Sequence, residues 1–149
     1  MMRRVLFFGT SEFAVPSLLA LCRAGYDLPV VVTQPDRPTG RHLRLQPTPV
    51  RRAAEEQGLT VWTPEKVRRK EFIEQARALA PDVIVVAAFG QILPEALLKI
   101  PSSGWAVNVH ASLLPKYRGA APIQHAILNG ETETGVTIMQ MEPTLDTGP

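Results

Sequence analysis

Cysteine is nearly missing: Cys22 stands alone among 149 residues. A single thiol cannot close an internal bridge, so a disulfide-stapled scaffold is excluded and a reducing, cytoplasmic setting is expected. Long apolar runs are missing too, with no stretch near the roughly 20 residues a membrane-spanning helix needs. Arg3-Arg4-Val5-Leu6-Phe7-Phe8 imitates the start of a signal peptide, yet Gly9-Thr10-Ser11-Glu12 breaks the run well short of the roughly 7–15 apolar residues required. With 45% hydrophobic and 20% charged residues, disorder, collagen-like repeats and coiled coil are excluded. The length suits about one domain, large enough to bury a core without covalent staples.

Three kinds of site are also missing. The first strand-to-helix turn, Gly9-Thr10-Ser11-Glu12-Phe13-Ala14, carries one glycine where a dinucleotide fingerprint needs three, which argues against a nicotinamide-dependent oxidoreductase. Cys22, His42, His110 and His125 show no metal-ligand spacing, so no metal is expected. Leu145-Asp146-Thr147-Gly148 resembles an aspartic-protease triplet, but that chemistry needs two such aspartates sharing a proton, and only one is present.

What is present alternates. Val5–Phe8, Val30–Val32, Leu59–Trp62, Val83–Ala87, Trp105–His110 and Val136–Met141 read as strands. Between them, a helix capped by Thr10 or Ser11, with Phe13, Val15, Leu18, Leu19 and Leu21 as its apolar stripe and Gly25 ending it, is followed by helices over 50–57, 65–79, a short segment after Pro94 and 120–128. Such alternation predicts an α/β fold: a Rossmann-like, open, mostly parallel sheet with helices on both faces. The stretch 34–49, with four prolines, reads as an irregular loop. The strand ending near Met141 has nothing after it to cover it, so the chain is expected to be a fragment of a longer domain.

Net charge is only +2, but Arg37, Arg41, Arg44, Arg51 and Arg52 fall in one stretch with no acid among them. That stretch is either a contact for an anion or a solvated loop. Asn108 and His110, two apart on a strand, share a face at its C-terminal end, where open parallel sheets present their ligand crevices. An amide and an imidazole there can polarise a carbonyl and handle a proton; equally, they can finish a strand as a hydrogen-bonded pair. Leu113-Leu114-Pro115 forms a stiff apolar wall beside them, followed by the cations Lys116 and Arg118.

Asn108-Val109-His110-Ala111-Ser112-Leu113-Leu114-Pro115, continuing to Ile123, resembles the signature of the folate-dependent formyltransferases. Glu133 to Met141 and Leu145 to Gly148 match the same family at the expected spacing. Phe8 to Pro16 and Thr33 to Arg41, continuing to Pro49, resemble the branch of that family acting on methionyl-tRNA. The resemblance implies transfer of a formyl group from 10-formyltetrahydrofolate to the amine of initiator methionyl-tRNA, with no DNA or membrane partner. It implies Asn108, His110 and Asp146 as the catalytic set. A folate slot lined by Phe89, Gly90, Gln91, Ile92 and Leu93, together with Ser112, Leu113, Leu114 and Pro115, follows from the same comparison. Arg37, Arg41 and Arg44 are the implied tRNA contacts. Residues 1–149 are then an N-terminal catalytic domain, incomplete at its C-terminal end and without the family's C-terminal β-barrel. The chain departs from the pattern at Arg41-His42-Leu43-Arg44-Leu45, where relatives often carry a glycine and consecutive lysines, and at Thr144, where glycine is common. Other acceptors in the family are glycinamide ribonucleotide and sugar nucleotides; a non-catalytic folate- or tRNA-binding fragment is a further alternative.

Overall fold

The computed structural model describes residues 3–39, 44–111 and 136–140. Their elements run β1 (Val5–Gly9), α1 (Ala14–Arg23), β2 (Val31–Val32), β3 (Arg37–Thr39), β4 (Arg44–Gln46), α2 (Pro49–Glu56), β5 (Val61–Trp62), α3 (Lys70–Ala78), β6 (Val83–Ala87), α4 (Glu95–Leu98), β7 (Trp105–Ala111) and β8 (Val136–Gln140). Six strands form one sheet in the order β5-β2-β1-β6-β7-β8. The first four pairings are parallel and β7–β8 is antiparallel. The α/β, Rossmann-like, mostly parallel fold expected from the alternation is the one found. Among the described residues no helix is long and apolar enough to cross a membrane.

Every residue of β1 is buried, because the strand lies mid-sheet with helices on both sides. Alternation then divides its side chains between two cores. Val5 and Phe7 join Val31, Val85 and Val109 under α1 and α2. Leu6 and Phe8 join Val32, Ile84, Val86 and Ala106 under α3 and α4. Phe8 meets Phe89 and Phe72 edge to face, with ring centroids 5.3 and 6.2 Å away. Burying each such ring contributes about 1.5–3 kcal/mol, so the aromatic pair in β1 anchors both layers.

At the N-terminal ends of the strands, Asp82 ties β1, β6 and β7 together. Its carboxylate accepts the Arg4 N–H at 2.9 Å and the Ser102 hydroxyl at 2.7 Å, while its carbonyl accepts the Ser103 hydroxyl at 2.6 Å. The Arg4 amide, then the Ser102 hydroxyl, hold the Asp82 carboxyl below its ordinary range, since both bonds favour the charged form.

Three local expectations are corrected. The proline-rich stretch contains a two-stranded ribbon, β3–β4, with Arg37 opposite Gln46, Pro38 opposite Leu45 and Thr39 opposite Arg44. An isolated ribbon has outward edges on which a proline's missing N–H costs no ladder bond, so Pro38 is tolerated there. The helix expected from Glu65 begins only at Lys70, because Arg69 takes an extended backbone at ψ 141°; the preceding Val67 N–H is held by the Gln91 side chain at 2.9 Å. Neither Thr10 nor Ser11 caps α1: its N-cap is Phe13, and the Thr10 hydroxyl donates instead to the Phe89 carbonyl at 2.6 Å. The helix expected at 120–128 lies outside the described residues, as does Met141.

Phe8→Ala is expected to cost about 3–5 kcal/mol in chemical denaturation, the range for emptying a buried aromatic site. Asp82→Asn should lower stability at neutral pH. A lowered native pKa stabilises fully above the unfolded value, and this contribution fades as pH falls from about 4 toward the lowered value. The gap between Asp82→Asn and the natural protein should therefore close over that acid window in pH-resolved denaturation curves.

Candidate functional site

The sheet order places its switch point between β1 and β6: from β1 the chain steps outward to β2 and β5 on one side, then returns to β6 on the other. Loops leaving the C-terminal ends of these strands diverge there and leave a crevice. A cleft of about 490 Å³ occupies it, lined by the loops after β1 (Thr10, Ser11), β2 (Gln34, Pro35) and β6 (Ala88 to Gly90) and by the end of the ribbon (Gln46 to Pro49).

Close packing shapes its floor. A Cβ on Gly9 would lie 2.8 Å from the Ala14 Cβ and 3.0 Å from the Ala87 carbonyl oxygen, so only glycine lets α1 and β6 approach this closely. Ala88 takes a left-handed conformation at φ 48°, which turns its carbonyl to accept the N–H groups of Thr10 (3.0 Å) and Ser11 (3.4 Å). For alanine this backbone costs about 1–2 kcal/mol, offset by those bonds. Gly90 follows at φ 98°, bare of side chain on the cleft surface.

Neutral hydrogen bonds stitch the loops. The Thr10 hydroxyl, besides donating to Phe89, accepts the Gln34 N–H at 3.3 Å. The Thr33 and Thr48 hydroxyls lie 2.7 Å apart, and Thr48 also caps α2 by accepting the Arg51 N–H at 3.0 Å. The Gln91 amide donates to Gln34 Oε1 at 2.8 Å and to the Pro64 carbonyl at 3.3 Å, and accepts from Val67. None of these links is legible in the sequence. The available signal is positional: Thr10, Thr33-Gln34 and Gln91 are polar residues that follow closely on apolar strands.

Of the residues expected to line a folate slot, Phe89 and Leu93 point into the core, at 2% and 1% exposure. Gly90 and the 59%-exposed Ile92 face outward, while Gln91 is the fastener just described. This loop therefore offers backbone groups and one apolar side chain, surfaces that suit a flat heterocycle. Ser112 to Pro115 lie outside the described residues.

Asn108 is half-buried in β7, in register with Val86 of β6 and Met139 of β8. Strand alternation sets it on the Ala106 face, one position short of the level where β6 turns into the cleft loop. The His110 backbone pairs with Thr137 further along. The His110 side chain and Asp146 lie outside the described part, so of the three residues expected to form the catalytic set only Asn108 is met there.

Arg37 is exposed and lines the cleft beside Gln46. Arg44 sits on β4 opposite Thr39, and Arg41 lies outside the described residues. Arg51 is engaged within the chain. Its guanidinium donates to Glu55 at 3.1 Å and to Asp36 at 2.9 Å, bracing the root of the ribbon against α2. These bonds, Glu55 first and then Asp36, raise its pKa further above an already high value.

A mostly parallel sheet with a largely apolar cleft opening at its switch point defines an α/β domain of the Rossmann-like class. The formyl transferase family profile matches residues 2–149, and the chain belongs to that family. It is 60% identical over 146 residues to a methionyl-tRNA formyltransferase of Trichlorobacter lovleyi, covering 98% of this chain and 46% of that protein. The methionyl-tRNA formyltransferase of Geobacter metallireducens is 58% identical over 144 residues, or 97% of this chain and 46% of its own. The chain thus spans about half the length of the curated relatives it matches. Among solved structures, phosphoribosylglycinamide formyltransferase from Bacillus halodurans shares the fold at a TM-score of 0.60 and 22% identity, over 99% of this chain and 76% of that one.

Thr48→Ala removes both the α2 cap and the tie to Thr33, and is expected to cost about 1 kcal/mol or slightly more. Thr48→Ser keeps a hydroxyl for both bonds and should recover most of it, as read from thermal or denaturant midpoints.

Proposed function

We propose that the protein transfers the formyl group of 10-formyltetrahydrofolate to the amine of initiator methionyl-tRNA, acting in the cytoplasm, and that residues 1–149 supply the N-terminal part of its catalytic domain. The observation that carries this reading is the 58–60% identity, over nearly the whole chain, to proteins of that name. The folate supplies an activated formyl group on nitrogen. In the transfer, the acceptor amine bonds to the formyl carbon, the carbon's bond to the folate nitrogen breaks, and an amine proton moves to that nitrogen.

Asn108 supports the reading by its position in β7, level with Val86 near the end of β6, where its amide can donate to an oxygen gaining negative charge. His110, two residues on, is the proposed second donor and proton carrier, with Asp146 orienting it and favouring its charged form. The folate ring is assigned to the surface of Phe89 to Leu93 together with Ser112 to Pro115. Arg37, Arg41 and Arg44 are assigned to the RNA; Arg37 is exposed on the cleft rim, as a phosphate or base contact must be.

The test offers labelled 10-formyltetrahydrofolate to the gene product carrying this sequence, with methionyl-tRNA and glycinamide ribonucleotide as parallel acceptors. Label should pass to methionyl-tRNA, and His110→Ala should lower kcat by about 10²–10⁴ while folate binding persists. Label on the ribonucleotide alone, or on neither acceptor, overturns the assignment. Folate binding without transfer in the natural protein would mark a binding module instead.

A further inference from the structure

We propose that Lys66, Arg68, Arg69 and Lys70 form a second phosphate-binding surface for the acceptor RNA, beside the β3–β4 ribbon; this rests on the methionyl-tRNA reading. All four side chains are exposed, while Val67 between them is buried and pins the segment. No ion pair among the described residues engages any of the four, although Arg4, Arg51, Arg77 and Lys99 all have carboxylate partners. Glu65 and Glu71 flank the run, which still keeps an excess of two positive charges over residues 65–71, four cations against two acids.

Helix stability does not account for this arrangement. Arg69 is the N-cap of α3 and provides no capping bond, and Lys70 is its first residue. Cations at a helix N-terminus oppose the helix dipole, so these charges work against their own element while adding to the positive potential that a phosphate meets.

The placement is the second part of the argument. β2 and β5 are adjacent and parallel, and the Thr33 N–H bonds to the Trp62 carbonyl at 3.0 Å. The basic ribbon leaves the C-terminal end of β2, and the segment 63–69 leaves the same end of β5. Gln91 then joins their roots by holding Gln34 on one side and Pro64 and Val67 on the other. Two cationic segments therefore leave neighbouring strand ends whose roots are tied together, which suits successive phosphates of a polynucleotide better than a single small anion.

The experiment measures methionyl-tRNA affinity against salt concentration for the natural gene product and a Lys66→Ala/Arg68→Ala/Arg69→Ala/Lys70→Ala variant. Removing one phosphate contact should reduce the slope of log K against log salt by roughly 0.9, so a drop of about 2–3 is expected. Arg68→Lys/Arg69→Lys should keep the slope. Arg23→Ala, at the far end of α1, should also leave it unchanged. An unchanged slope in the quadruple variant overturns the proposal while leaving the methionyl-tRNA reading intact. Failure of the natural protein to bind or formylate methionyl-tRNA overturns that reading, and this proposal with it. A quadruple variant that also loses folate binding has lost its fold, and Arg68→Glu and Lys70→Glu singly then decide: lower RNA affinity at constant folate affinity supports the surface, unchanged affinity refutes it.

Discussion

Complete burial of β1 on both faces is the constraint from which the remaining architecture follows. Phe7 and Phe8 are consecutive, so alternation sends one ring into each core. A slip of one residue would exchange both sets at once, which holds the register of β1 against β2 and β6. Because β1 is central, the chain departs from it in two directions, and the crevice opens where those departures separate. Gly9 closes the strand at the one place where a helix, the next strand and the chain itself converge too tightly for any side chain. Core and site are thus joined by one short segment: its apolar residues order the layers, and its end becomes the floor of the cleft.

The crevice uses two kinds of polar interaction, and their physics gives them separate roles. Its loops are fastened by neutral bonds among Thr10, Thr33, Gln34, Thr48 and Gln91, each worth about 1 kcal/mol and nearly indifferent to salt. Its rim carries Arg37, a cation whose attraction to an anion weakens as ionic strength rises. The Arg51 pairs with Asp36 and Glu55 are partly exposed and contribute about 1 kcal/mol or less each; their value lies in direction, since they orient the ribbon root. Changing salt therefore alters capture of a charged partner without loosening the frame that receives it. Only part of the arginine-rich stretch is available to a partner, because Arg51 is already committed within the chain.

The amino-acid sequence by itself determined the alternation of strands and helices, the mostly parallel sheet, the two-sided burial of Val5–Phe8 and the apolar strand Val83–Ala87; Asn108, expected at a strand end, lies mid-strand because β7 runs on to Ala111. The sequence motifs also pointed to the formyltransferase family. Those features are local: they depend on period, on breakers and on short spacings that neighbouring residues reveal. Tertiary structure decided the rest. Gln34 and Gln91 meet across 57 positions, and Thr10 turns from its own helix to Phe89, 79 residues on. The Val67 N–H is taken by the side chain of Gln91, 24 residues on, and Pro38 enters a ribbon because that ribbon has no neighbours to pair with. Phe89 and Leu93 face the core while Gly90 and Ile92 face out, a division that depends on which side of the loop the sheet lies. In each case a hydrogen-bond donor, acceptor or apolar surface had several partners available along the chain, and only the packed fold brought one of them within reach.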